Sequence, residues 1–124
     1  MSLKAGDIIT FERTFTVRDV ELFTEISGDK GIHHITPDEQ GRLVIQGLLT
    51  ATLPTKIAGD NNVLARRTSF EFLRPVFTGD TIVCIVKIEK YERQENRTAF
   101  VASFLCKNQN EKEVLKGDVS GVIL

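Results

Sequence analysis

Val44-Ile45-Gln46-Gly47-Leu48-Leu49-Thr50-Ala51-Thr52-Leu53-Pro54-Thr55-Lys56-Ile57-Ala58 reads as a helix that is apolar nearly all round. Val44, Ile45, Leu48, Leu49, Ala51, Leu53 and Ile57 leave it little polar face, so it must be buried on most sides. Gly59-Asp60-Asn61-Asn62 stops it. Pro54 conflicts with an unbroken helix, because proline lacks the N–H and crowds the preceding turn.

The rest of the chain supplies what buries this segment. Downstream of Leu64 the pattern has a period of two. Phe70 and Phe72 alternate with more polar neighbours, and Ile82, Cys84, Val86 and Ile88 share one face of a long run. Phe100, Ala102, Phe104 and Cys106 line the next strand, and Glu113 to Leu124 closes the set. Short polar turns between these runs predict an antiparallel meander. Upstream, Asp7 to Phe15 alternates as a first strand. A helix follows, capped by Thr16 with Asp19 three residues on, and ended by Gly28. Its expected buried stripe is Val17, Val20, Phe23 and Ile26, with Leu22 alongside. One buried helix facing a curved antiparallel sheet is an α+β architecture, the hotdog arrangement, here a single domain over residues 1–124. The edge strands of such a sheet need covering, and a homodimer or higher homo-oligomer is the common solution.

Composition narrows the function. Apolar residues make up 41% and charged residues 27%, as in an ordinary globular protein. A net charge of −1, with cations dispersed, offers no nucleic-acid surface. No apolar run spans a bilayer, and Met1-Ser2-Leu3-Lys4 opens no signal peptide, so a cytoplasmic protein with no membrane role is expected. Cys84 and Cys106 sit among strand formers and read as buried thiols in a reducing compartment. They lack CxxC spacing, and the adjacent His33 and His34 diverge, so no metal site is expected.

The chemistry concentrates in Ser27-Gly28-Asp29-Lys30-Gly31-Ile32-His33-His34, directly after the first helix. Asp29 and His34, held across a short loop, can clasp one water: one takes its proton while the other orients it or returns a proton to carbon. That equips a site to add water to a double bond or remove it. The structural alternatives are a helix-terminating turn for Asp29 and a plain loop histidine for His34.

This segment resembles the hydratase motif of MaoC-like dehydratases, the (R)-specific enoyl-CoA hydratases. That motif runs roughly Ser-Gly-Asp-x-Asn-Pro-Ile/Leu-His. Ser27, Gly28, Asp29 and His34 match it in identity and spacing, while Gly31 stands for Asn, Ile32 for Pro and His33 for the aliphatic residue. Ile45-Gln46-Gly47-Leu48-Leu49-Thr50-Ala51 is similar to the family's Ala-His-Gly-Met-Leu-Thr-Ala, with Gln46 in place of His. Phe72-Leu73-Arg74-Pro75-Val76, then Gly79-Asp80-Thr81, is a third block in the expected order. The interval from His34 to Gly47 is shorter than the family's.

The resemblance implies a trans-2-enoyl or 3-hydroxyacyl thioester of coenzyme A or acyl carrier protein as substrate. It implies Asp29 and His34 as the water-holding pair, and the Gly47 N–H as donor to the thioester oxygen, where negative charge develops. It also implies a tunnel at a subunit interface with these three groups at its inner end, and no metal or redox cofactor. Gln46, Thr50 and Thr55 are candidate substrate contacts, although threonines on buried helices commonly bond back to their own helix. Arg74, with Lys56, Arg66 and Arg67, is a candidate for the phosphates of coenzyme A, against the alternative of a solvated rim. Two rival functions share the fold: an acyl-thioester hydrolase using a carboxylate-activated water, and a non-catalytic acyl-thioester binding module.

Overall fold

The computed structural model describes residues 3–124, so the opening Met1-Ser2 of the signal-peptide reading lies outside it. Strand β1 (Ile8–Thr14) leads into helix α1 (Val17–Ser27). Thr16 caps α1 as expected: its hydroxyl accepts from the Asp19 N–H, and the Asp19 carboxylate accepts from the Thr16 N–H. Gly28 ends it at φ 73°, donating to the Thr24 carbonyl at 2.9 Å. A one-turn helix α2 (Ile32–Ile35), α3 (Gly47–Thr50), α4 (Thr52–Asp60) and strands β2 (Val63–Phe72), β3 (Thr81–Arg93), β4 (Thr98–Lys107) and β5 (Glu113–Ile123) follow.

The five strands form one antiparallel sheet in the order β1-β3-β4-β5-β2. Strands β3, β4 and β5 are the expected meander, but β2 departs from it. It pairs with β5 at the far edge, because the chain between β2 and β3 crosses the end of the sheet. That crossing builds the site. The Ile45 N–H donates to the Val76 carbonyl at 2.8 Å, and the Thr78 N–H to the Leu43 carbonyl at 2.9 Å. The second and third sequence blocks are thereby clamped side by side.

The predicted alternation holds on the inner face of the sheet. Ile82, Cys84, Val86 and Ile88 of β3 and Phe100, Ala102, Phe104 and Cys106 of β4 are all buried. They form one core with Leu49, Ala51, Leu53 and Ile57 of α3 and α4. A large apolar side chain buried this way contributes about 1.5–3 kcal/mol.

Two expectations are corrected. The second helix does not begin at Val44; Val44 makes an isolated bridge to Phe77, and the helix starts at Gly47. It then breaks at Ala51, which places Pro54 in the first turn of α4, where a missing N–H costs no helical bond. The stripe of α1 is only partly buried: Val20 is covered and Phe23 half covered, whereas Val17, Leu22 and Ile26 face outward, as does Leu48 of α3. The 3.6-residue period marks an apolar face without saying what covers it.

Gly117 tests the β2–β5 pairing. A Cβ there would sit 1.9 Å from the Ser69 carbonyl oxygen and 2.7 Å from the Phe104 ring. Gly117→Ala is expected to cost at least about 2 kcal/mol in urea unfolding, as an overpacked site does. Gly59→Ala, in α4 with open space around the added methyl, is expected to stabilise by about 0.5 kcal/mol.

Candidate active site

Between the C-terminal end of α1, the start of α3 and the crossing after β2 lies a cleft of about 620 Å³. Asp29, His34, Gln46, Gly47, Thr50 and Arg74 all line it. Six of the ten candidate site residues therefore share one cavity, and Lys56, Arg66 and Arg67, offered beside Arg74 for phosphates, do not line it. Thr55 does not either: it is exposed on α4, and its hydroxyl donates to the Ala51 carbonyl at 2.9 Å. That is the helix back-bonding by which threonine competes with any outward role.

The Asp29–His34 loop holds its shape without the proline of the related motif. The Asp29 N–H donates to the Ser27 hydroxyl at 3.0 Å, and the Asp29 Oδ1 accepts from the Gly31 N–H at 3.2 Å. This is a side-chain-closed turn of the kind aspartate favours. The His34 N–H then donates to the Gly31 carbonyl at 2.9 Å, opening α2, an element that the sequence does not announce. Glycine at position 31 has a packing reason. A Cβ would lie 3.0 Å from the His33 ring and 3.2 Å from the His34 ring.

His34 is 6% exposed, and its Nδ1 stands 2.6 Å from the Val44 carbonyl oxygen. A carbonyl only accepts, so Nδ1 carries the proton, and in the neutral ring Nε2 presents a lone pair. Nε2 faces the Asp29 Oδ2 at 3.5 Å. The neutral ring and the carboxylate are then two acceptors facing one point, and a water can donate one hydrogen to each. His33 stacks beside His34, with ring centroids 4.0 Å apart, and is exposed.

Gly47, also lining the cleft, opens α3, and no acceptor among the described residues takes its N–H. Four residues carry little macrodipole, so what the site offers here is the free amide itself. Phe72, absent from the candidates, packs on this glycine: a Cβ at position 47 would meet its ring at 2.6 Å. Gln46, 1% exposed, donates through Nε2 to the Thr24 hydroxyl at 2.9 Å, while its buried Oε1 has no partner among the described residues. Arg74 is exposed at the rim and donates to the Glu113 carbonyl at 2.7 Å.

No group of three or more His, Cys, Asp or Glu residues able to hold a metal occurs among the described residues. Cys84 and Cys106 are free, buried and opposite each other in register on β3 and β4. Their mutual hydrogen bond, then burial, pushes the Cys106 thiol far above its ordinary range. No helix among the described residues is long and apolar enough to cross a membrane.

The tautomer is directly measurable. Long-range ¹H–¹⁵N correlation spectra of the neutral ring are expected to show His34 with the proton on Nδ1. His33, with no such acceptor, is expected to show the ordinary Nε2–H form.

No family model matches the chain. A mitochondrial 3-hydroxyacyl-[acyl-carrier-protein] dehydratase of Arabidopsis thaliana is 27% identical over 129 residues, covering 98% of this chain and 78% of that protein. Among solved structures, the (R)-hydratase from A. caviae involved in PHA biosynthesis superposes with a TM-score of 0.85 at 22% identity, covering 99% of this chain and 98% of its own. A MaoC-like dehydratase from Rhodospirillum rubrum gives 0.78 at 14% identity, covering 98% and 93%. The chain has the hotdog fold of these hydratases and dehydratases, and the resemblance to the MaoC-like family carried by its three sequence blocks is borne out.

Proposed function

We propose that this protein is a hydratase or dehydratase acting on trans-2-enoyl or 3-hydroxyacyl thioesters. The observation that carries the proposal is the Asp29–His34 pair, two acceptors 3.5 Å apart with the outer ring nitrogen tied to Val44. In hydration, the water held by this pair gives a proton to His34 Nε2 while Asp29 orients it. Its oxygen adds to C3, and the pair returns a proton to C2. Charge that develops on the thioester oxygen meets the free Gly47 N–H, a donor that needs no reorganisation. Running the steps backwards is dehydration. The activities of the Arabidopsis dehydratase and the A. caviae hydratase support this reading.

Thr50, buried on the cleft wall, and Arg74 at its rim are the remaining substrate contacts in this reading, Arg74 toward a carrier phosphate. We place the protein in a reducing compartment, the cytoplasm, on the support of its two free thiols. Its functional unit is a homodimer. The β1 and β2 edges have no strand beyond them, and Leu48 and Phe72 at the cleft, with Ile26 and Ile32 on the helices beside it, expose apolar surface that a second copy would cover.

Mixing the protein with crotonyl-coenzyme A is expected to bleach the enoyl absorbance without releasing thiol. Asp29→Asn is expected to lower that rate by about 100-fold or more, the scale of a lost acid–base group. Thiol release instead identifies a hydrolase, and tight binding without turnover identifies a binding module. Light scattering coupled to gel filtration is expected to give twice the 13.9 kDa chain mass; a monomer contradicts the dimer.

A further inference from the structure

The catalytic groups described so far supply two acceptors for water, Asp29 and His34, but one donor for the thioester oxygen, the Gly47 N–H. An oxygen that gains charge in a water-poor cleft is stabilised by each further donor aimed at it. Gln46 is the neighbouring residue. It lines the same cleft, is 1% exposed, and has one end of its carboxamide anchored and the other without a partner among the described residues. Leaving a buried polar atom unpaired is costly, so a group that pairs with this end of the carboxamide gains free energy.

The anchor lets the carboxamide turn. A hydroxyl can accept from an amide N–H or donate to an amide oxygen, so Thr24 holds either end of the Gln46 carboxamide equally well. Nε2 is on Thr24, and Oε1 has no partner among the described residues. A half-turn would put Oε1 on the Thr24 hydroxyl and direct the two N–H groups of Nε2 to the orphan position. An anionic oxygen there selects the turned form, because it rewards a donor and repels an acceptor.

The geometry points to Gln46 as a second donor to the thioester oxygen, delivered by rotation of its carboxamide against Thr24. This rests on the hydratase reading, deepens it, and makes Gln46 a catalytic residue rather than packing. The side chain is neutral at every working pH, so it adds a donor without adding a titration to the Asp29–His34 pair.

Gln46→Met keeps the size and removes both hydrogen-bonding ends, whereas Gln46→Glu keeps an acceptor for Thr24 and loses the N–H groups. Both are expected to lower kcat for crotonyl-coenzyme A hydration by about 100-fold, as loss of one oxyanion donor does, with KM changed by less than about threefold. With unreactive [1-¹³C]butyryl-coenzyme A, infrared difference spectra are expected to show the thioester carbonyl stretch lowered on binding to the wild type. That shift is expected to shrink in both variants. Unchanged kcat in Gln46→Met overturns the proposal, and so does full activity in Gln46→Glu, which would make the role that of an acceptor. If neither variant folds, the side-chain amide resonances of ¹⁵N-labelled Gln46 decide: a shift on binding butyryl-coenzyme A is expected, and its absence overturns the proposal. A wild type that binds crotonyl-coenzyme A without hydrating it is a different failure, that of the hydratase reading itself.

Discussion

The hydrogen bond from His34 Nδ1 to the Val44 carbonyl, 2.6 Å long, joins the two halves of the site. One partner sits on the loop after α1 and the other on the extended chain that leads into α3. It fixes the ring, sets its tautomer and directs Nε2 toward Asp29. Its acceptor is itself held: the Val44 N–H donates to the His33 carbonyl at 3.0 Å, and the next residue, Ile45, is bonded to Val76 of the crossing segment. The geometry of the Asp29–His34 pair therefore depends on the crossing between β2 and β3, well outside the loop that carries both residues. Histidine chemistry commonly works this way, with the second nitrogen's partner deciding what the first can do.

Much of the architecture could be read from the chain. The alternation in β3 and β4 is nearly unbroken, since each inward residue must find the core and each outward one need not. The Thr16–Asp19 capping box and the glycine stop of α1 are local devices whose signals lie within a few residues. What could not be read is non-local. Nothing in β2 states that its partner is β5, because strand pairing follows the path of the connection. Nothing in α1 states that Leu22 and Ile26 stay uncovered within one chain. Pro54 conflicts only with a helix that starts at Val44, because a proline's tolerance depends on its distance from the helix start.

The site divides in the same way. Asp29 and His34 were legible because side-chain identity and spacing carry their chemistry. The Val44 carbonyl was not, since a backbone acceptor has no residue signature. Thr55 was misplaced because a threonine that bonds its own helix has the same letter as one that bonds a ligand. Gly31 and Ile32 depart from the motif's Asn-Pro, yet the Asp29 side chain closes the turn and the glycine leaves room for two imidazole rings. Departure from a motif can thus preserve its geometry by another route.

Where the oxygen of water ends up separates the account from its rivals most directly. The protein would be incubated with an enoyl thioester in H₂¹⁸O and the products analysed by mass spectrometry. Label at the C3 hydroxyl, with the thioester intact, is the predicted result. Label in a freed carboxylate would contradict it, because the activated water would then have attacked the thioester carbonyl instead of the double bond.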